Sequence, residues 1–455
     1  NGVAPPGNGL YRYCGRRSPA NPGLYHPFAP RFGFAWQPFG SSKTVVRGGY
    51  GIFYGSAKGR EIDDSGDIYP FEVRSSFTPQ TQPTAPKLTN DLFPVFTAIK
   101  PVTPQDITFL AVIQGENPHN PYVQQWSLDF QRQLAPNTVL DVGYAGSKGT
   151  HLLTRTEIAQ AVPPANPSFC AAQDANGNFI NLNNGDCPVA KRRPYPNFTG
   201  DFIDSEFQGV SNYDAANINL TRRTDALVMQ MSYAWSHSLD DKSAAAGVGN
   251  SIAGWNGFLN NHNPKLDYGT SDFDVNQRFV ANFVYQLPLG RGKRFGGNMN
   301  RFVDGVIGGW QAGGILTLQK GFPFSIVAGD PFGLLDTVGS VNRANQIGPA
   351  FGPGTGTINK YFNTSAFSQP LPAHFGTLGR NTLRGPGLHS FDMNIAKTFA
   401  LTERVRLQVR VEGFNVFNTP QFGNPNDTLT SPTFGVISGA RIDNRELQWG
   451  AKVLF

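Results

Sequence analysis

The chain has 455 residues and a formal net charge of +6, with only 15% charged residues against 52 glycines, 35 prolines and 36 phenylalanines. Aromatic residues at 12% are too many for a chain that never packs, and abundant glycine with scarce charge fits turn-rich β-structure better than a helical enzyme. The basic balance comes from scattered Lys and Arg, whose small clusters "AKRRP" (190–194) and "GRGKRF" (290–295) read as solvated turns. No RNP, zinc-finger or helix-turn-helix pattern accompanies them, so no nucleic-acid partner is expected. No apolar run reaches the roughly 18 residues of a transmembrane helix, and the opening "NGVAPPGNGLYRY" lacks the charged and apolar regions of a signal peptide.

Taken in order, the chain shows segments of period-two alternation that come in pairs. "RFGFAWQPF" (31–39) and "TVVRGGYGIFY" (44–54) flank "GSSK". "PYVQQWSLDFQRQL" (121–134) follows, with Tyr122, Trp126, Leu128 and Phe130 on one parity, and "APN" joins it to "TVLDVGYAG" (138–146). The overlapping stretch "DVGYAGSKGTHLL" (141–153) crowds glycines, lysine and threonine as a phosphate loop does. A phosphate loop, however, needs its lysine after the last glycine and a helix beyond. Here Lys148 precedes Gly149 and the chain runs on into prolines, so the stretch reads as the far end of a strand.

Cys170 and Cys187 lie in one long polar segment and could form a loop disulfide in an oxidising compartment, with Cys14 left over. "SNYDAANINLTRR" (211–223) and "ALVMQMSYAWSHS" (226–238) make a further pair, as do "QRFVANFVYQLP" (277–288) and "GWQAGGILTLQKG" (309–321). "HSFDMNIAKTF" (389–399) pairs with "RVRLQVRVEGF" (404–414), and "RELQWGAKVLF" (445–455) stands alone. The pattern predicts an all-β fold of about 11 strands.

Turns within pairs are short, whereas the connections between pairs are long. Soluble sandwiches and propellers keep connections short at both ends. Outer-membrane barrels place short turns at the periplasmic end and long loops outside. About ten residues at 3.3 Å each, tilted near 40°, span roughly the 25 Å apolar band of such a barrel. Tyr54, Tyr122, Tyr144, Trp235, Trp310 and Trp449 near strand ends suit interfacial girdles. Within 404–412 one parity reads Val405, Leu407, Val409, Val411 and the other Arg404, Arg406, Gln408, Arg410, Glu412. In a barrel the polar row faces a wet lumen and the apolar row faces lipid.

Three long segments carry a family resemblance: "NPYVQQWSLDFQRQL…NTVLDVGYAGSKGTHL", "DFDVNQRFVANFVYQLPLGRGKRF…GGWQAGGILTLQKGFPF" and "LRGPGLHSFDMNIAKTFALTERVRLQVRVEGFNVFNTPQFG". From about Pro30 to Phe455 the chain resembles the Oar-like TonB-dependent receptors of the Gram-negative outer membrane. The resemblance implies an antiparallel transmembrane β-barrel, with residues 31–455 as the C-terminal half of a 22-strand barrel and residues 1–30 as an irregular start. It also implies a regulatory-like β-domain and a plug upstream in the whole protein. The partners implied are outer-membrane lipid, the barrel-assembly machinery, the TonB complex acting through the plug, and a small-molecule or oligosaccharide ligand. Uptake of a nutrient such as an oligosaccharide or metal chelate is the expected function. A non-transporting adhesion or surface-organising barrel and a soluble secreted carbohydrate-binding β-protein are the alternatives. Leu447, Trp449, Ala451, Val453 and Phe455 alternate up to a terminal aromatic, which the resemblance identifies as a barrel-assembly signal.

Catalytic and metal look-alikes are weak. "SHSLDD" (236–241) holds Ser, His and Asp, but a triad is made by three-dimensional geometry, not adjacency. "DDSGD" (63–67) lacks the full spacing of a calcium loop, and the histidines show no paired metal-ligand spacing. No G-x-S-x-G elbow is present. No enzyme and no cofactor are expected. The aromatic loop "SIAGWNGFLNNHNP" (251–264) could stack on sugar rings, but a loop core is the favoured reading.

Overall fold

A computed structural model describes residues 28–40, 43–55, 109–114, 120–175, 179–196, 201–243, 258–330, 332–336 and 341–455. Eleven strands carry the fold. The first six are β1 (Arg31–Trp36), β2 (Thr44–Tyr54), β3 (Tyr122–Ala135), β4 (Thr138–Glu157), β5 (Asp201–Arg223) and β6 (Leu227–Asp240). The remaining five are β7 (Gln277–Gln286), β8 (Trp310–Gln319), β9 (Leu388–Ala400), β10 (Arg406–Phe414) and β11 (Glu446–Leu454). Each pairs antiparallel with the next in the chain, β1 through β11, within a 13-stranded sheet. The two remaining strands are short: Gly269–Thr270 pairs with β6, and Phe109–Gln114 runs parallel to the start of β5. The ends of the path, β1 and β11, run in the same direction and are not paired with each other.

All connections that follow even-numbered strands are long: 55–121, 158–200, 241–276, 320–387 and 415–445. Those that follow odd-numbered strands are short, apart from 287–309 between β7 and β8, which holds a helix of about two turns, α1 (Arg301–Ile307). The sheet therefore has a long-connection rim and a short-turn rim.

Register separates the two faces without reference to solvent exposure. Directly opposed residues share a face, so the pairs Phe34↔Gly48, Val46↔Phe130, Leu128↔Tyr144, Val142↔Ile218 and Ile218↔Tyr233 lie on one side. The same side continues through Tyr233↔Phe279, Phe283↔Gly314, Leu316↔Phe391, Phe399↔Leu407 and Val411↔Trp449. The other side carries Asp129, Gln131, Asp141, Asn217, Asn219, Gln230, Ser232, Asn282, Asp392, Asn394, Gln408, Arg410, Glu412 and Gln448, interrupted by Val45, Phe53, Val123, Val139, Val228, Val280, Val284 and Ile315. The apolar side is bare, with Phe32, Leu128, Ile218, Trp235 and Trp449 all exposed. A face this long and this apolar is what lipid covers and water does not.

Glycines on the apolar face make room for rings. A Cβ on Gly146 would sit 2.3 Å from Trp126 Nε1, so the bare backbone there is a seat for the indole of the neighbouring strand. That accounts for one glycine of the stretch that imitates a phosphate loop. The stretch itself lies wholly within β4, which continues to Glu157, well past the expected end at Gly146. The register shifts between Gly149 and Leu152, and His151 takes a left-handed φ of 53°. This bulge breaks the period-two pattern from which the strand's end was read. β5 likewise starts earlier than its alternation suggests.

The buried core is not under the sheet but at the long-connection rim. Phe324, Ile326, Phe362, Phe367, Leu378 and Leu383 form it, with the Phe362 and Phe434 rings 5.0 Å apart edge to face. The 320–387 and 415–445 connections are thereby folded bodies with an interior of their own.

Candidate functional site

The long-connection rim is where chemistry concentrates. Arginines of the 320–387 connection each hold an aspartate of β6 or of the connection after it. Arg380 Nη1 reaches Asp240 Oδ1 at 2.8 Å and Nη2 reaches Asp272 Oδ1 at 3.1 Å. Arg343 Nη1 meets Asp267 Oδ1 at 2.6 Å, and Arg384 pairs with Asp274. Burial alone lowers the pKa of Arg380, but Asp240 and Asp272 more than restore it, and the guanidinium stays charged. The carbonyl oxygens of Asp240 and Asp267 also accept from Arg380 Nη1, so the fork is filled.

A second latch brings in the 158–200 connection. Arg193 pairs with Asp336 at 2.7 Å, and buried Arg192 donates to the carbonyls of Val162, Cys187 and Leu334. Cys170 and Cys187 are joined by a disulfide with Cα atoms 5.2 Å apart. Gln160 donates to the Leu259 and Leu335 carbonyls and accepts from Asn261, tying three connections at one side chain. The solvated-turn reading of "AKRRP" is therefore wrong for Arg192 and Arg193. Residue order alone does not show that Leu334 and Asp336, which accept from them, lie some 140 residues downstream. Outside these latches Phe169, Ile180, Phe273, Ile347 and Phe351 are exposed on the connections, while Phe417 stacks on Phe391 of the apolar face.

Lys242, just past β6, lies over the Phe258 ring with Nζ 5.0 Å from its centre. Burial lowers its pKa from 10.5 to about 8, against the pull of Asp267. In an unfolded chain the amine stays protonated to higher pH, so between about 8 and 10.5 the unfolded state holds more protons. The loop body is thus expected to gain stability across that window. Limited proteolysis of the rim at pH 8 and pH 10 checks this against Lys242→Met, in which the gain should disappear.

The structure disperses the look-alike sites. His237 lies opposite Asp214 on the apolar face, while Ser236 and Ser238 point to the other, so "SHSLDD" cannot assemble a triad. His237 Nδ1 is 3.7 Å from Asp274 Oδ2, whose carboxylate is already engaged by Arg384 and by the Ser238 N–H. "DDSGD" and Cys14 lie outside the described residues, as does the first half of the 251–264 loop. In its second half Phe258 and Leu259 are buried as loop core. Among the described residues no group of three His, Cys, Asp or Glu side chains could hold a metal ion.

Of the row singled out in 404–412, Arg406, Gln408, Arg410 and Glu412 share the polar face, and Leu407, Val409 and Val411 the apolar one. Arg404 and Val405 do not belong to the strand. They sit in the β9–β10 turn, where Thr402 Oγ1 accepts from the Val405 N–H at 3.0 Å and the Val405 carbonyl accepts from the Leu401 N–H. Arg410 Nε is 3.4 Å from Glu412 Oε1, and Gln448 on β11 donates to Glu412. Leu447, Trp449, Ala451 and Val453 line the apolar face of β11, and Phe455 follows it at the short-turn rim, fully exposed. The rim's Arg–Asp latches were missed by sequence reasoning. The only hint was Arg384 in "LRGPG", within a segment already singled out.

Comparison with known proteins agrees with this architecture. The model of the outer membrane beta barrel domain matches residues 1–448. No curated protein matches. Among solved structures, the outer membrane transporter YddB from Escherichia coli is similar at 10% identity and a TM-score of 0.47, over 94% of this chain and 40% of that one. The FrpB iron transporter from Neisseria meningitidis is similar at 11% identity and 0.39, over 94% and 39%. The ferripyoverdine receptor of the outer membrane of Pseudomonas aeruginosa is similar at 8% and 0.39, over 94% and 32%. The chain thus spans about two fifths or less of the length of these structures.

Proposed function

This chain belongs to the outer membrane beta barrel domain family and resides in the outer membrane of a Gram-negative bacterium, and from that premise we propose that it forms part of the wall of a TonB-dependent receptor that takes up a nutrient. The observation that carries the reading is the sheet itself: one largely apolar face, one largely polar face, and the described parts of the 158–200, 241–276, 320–387 and 415–445 connections folded together at a single rim. A wall of this kind sets lipid on one side and a wet lumen on the other. The row Arg406, Gln408, Arg410, Glu412 is then lumen-facing, and the latched connections present their exposed aromatic residues to a ligand outside the cell.

The parity of the strands supports a larger barrel around it. β1 and β11 run in the same direction, so joining them would set one parallel seam into an otherwise antiparallel wall. Further strands between them restore the alternation. The plug and the TonB complex belong to that whole protein, and the ligand is an oligosaccharide or a metal chelate. A barrel that only adheres is the competing reading. Uptake of labelled oligosaccharides and iron chelates by cells carrying or lacking the gene, with and without TonB, separates the two. Loss of one solute in both deletions supports transport, and uptake indifferent to either deletion sinks it.

Phe455 is expected to act in assembly, because an exposed edge strand can be read by edge pairing with alternate side chains as the code. Deleting Phe455, or Phe455→Asp, in the full-length protein should lower its outer-membrane level and raise periplasmic degradation. Heat-modifiable gel mobility and membrane fractionation measure both, and unchanged assembly of the two variants would overturn the signal.

A further inference from the structure

Of the charged residues on the apolar face, which include Arg132, Asp214 and Arg222, Lys397 is the buried one. Its register partners Trp310 and Val409 place it on that face, near the short-turn rim, and it is only 4% exposed. A lysine facing lipid needs a partner, and this one has several. Nζ donates to the Gly308 carbonyl at 2.5 Å and to that of Asp304 at 3.5 Å, at the C-terminal end of α1. It also lies 5.0 Å from the centre of the Phe399 ring and 5.7 Å from that of Trp310. The Trp310 indole N–H donates to the Val306 carbonyl at 2.8 Å. A cation at helix-terminal carbonyls is favourable in itself.

These bonds fix where the helix lies. Both anchors, Lys397 and Trp310, project from the apolar side of the sheet, so the C-terminal end of α1 is held on that side and not beneath the polar face. Asn300 starts the helix, its side chain accepting from the Val303 N–H at 2.9 Å. With its ends satisfied, α1 leaves Phe302 at 90% and Val306 at 69% exposure, with Ile307 also uncovered. The same connection carries Arg291, Lys293, Arg294 and Arg301, while its one acidic residue, Asp304, accepts from the Arg291 N–H.

We propose that α1 is a membrane-surface anchor of the wall, with Phe302 and Val306 in the acyl boundary of the leaflet at the short-turn rim. The four cations beside it rest on acidic phospholipid headgroups. The occupant follows from continuity, since the helix extends an apolar face that lipid already covers, and from charge, since basic side chains edge the apolar ones as in interfacial helices. The inference rests on the assignment of that face to lipid.

The full-length protein tests it, with its free thiols replaced by serine and an environment-sensitive fluorophore on Phe302→Cys, Val306→Cys or, midway along the apolar face of β9, Ile395→Cys. Each is reconstituted into phosphatidylcholine vesicles with or without phosphatidylglycerol. Labels at 302 and 306 should emit to the blue and be quenched more by lipids brominated near the headgroup than near the chain end, and the label at 395 should show the reverse. Omitting phosphatidylglycerol, or replacing the four cations with glutamine, should reduce the blue shift at 302. Water-like emission at 302 and 306 with 395 still quenched by lipid overturns the anchor and leaves the wall assignment standing. Water-like emission at all three overturns both. A shift at 302 indifferent to phosphatidylglycerol and to the glutamine replacements overturns the headgroup contact.

Discussion

Arg380→Met is expected to destabilise the folded rim by about 3–5 kcal/mol, because it strands a buried carboxylate. Asp240 is 4% exposed, closes β6, and has Arg380 as its ion-pair partner. Asp272 and the backbone carbonyls of Asp240 and Asp267 lose donors at the same time. Removing the anion as well should recover much of the loss, so the double variant Arg380→Met/Asp240→Asn is expected to be firmer than the single one. Protease sensitivity of the 241–276 and 320–387 connections in native membranes reports the effect. Equal resistance of wild type and Arg380→Met would show that the latch holds nothing.

Val409→Arg should destabilise the assembled wall by about 1–2 kcal/mol, between the roughly 0–1 kcal/mol of an arginine at the membrane interface and the roughly 2–4 kcal/mol of one at the midplane, because its register partner Lys397 lies toward the short-turn rim. Gln408→Arg, one residue earlier, should be tolerated, since its neighbours Thr398 and Lys452 share the polar face. Urea titration of the full-length protein in vesicles compares the two. Cysteines at the same positions give an independent reading: 408 should react with a water-soluble thiol reagent and 409 should not. The opposite pattern would invert the faces.

The wall was legible in the sequence because one rule governs it everywhere. Alternation in "RLQVRVE" or "LVMQMSYAW" states which side chains share a face, and chain order states which strands pair. Legibility ended where backbone geometry departs from the rule. The bulge at Gly149–Leu152 hid half of β4, and the turn at Leu401–Val405 took Arg404 and Val405 out of a row that contains them by parity alone. The rim was less legible still. Arg343, Arg380 and Arg384 are ordinary charged residues in a Gly- and Pro-rich stretch, and their aspartate partners lie at the end of β6 or in the connection after it. No local pattern announces a bond across such a separation, whereas the Cys170–Cys187 pair lay within one segment and could be proposed from the sequence.

Because each of the eleven wall strands β1–β11 pairs with its neighbours in that series and turns alternate between two rims, the natural unit of change in this wall is the hairpin. Excising β5 with β6, for example, brings β4 beside β7 with opposite directions preserved, both loops at their own rims and every apolar side chain still facing out. Losing a single strand would invert the direction of everything after it, carrying long connections to the wrong side of the membrane. Lineages of such proteins can therefore widen or narrow two strands at a time by simple duplication or deletion, while changes of one are barred by topology alone, before any question of stability arises.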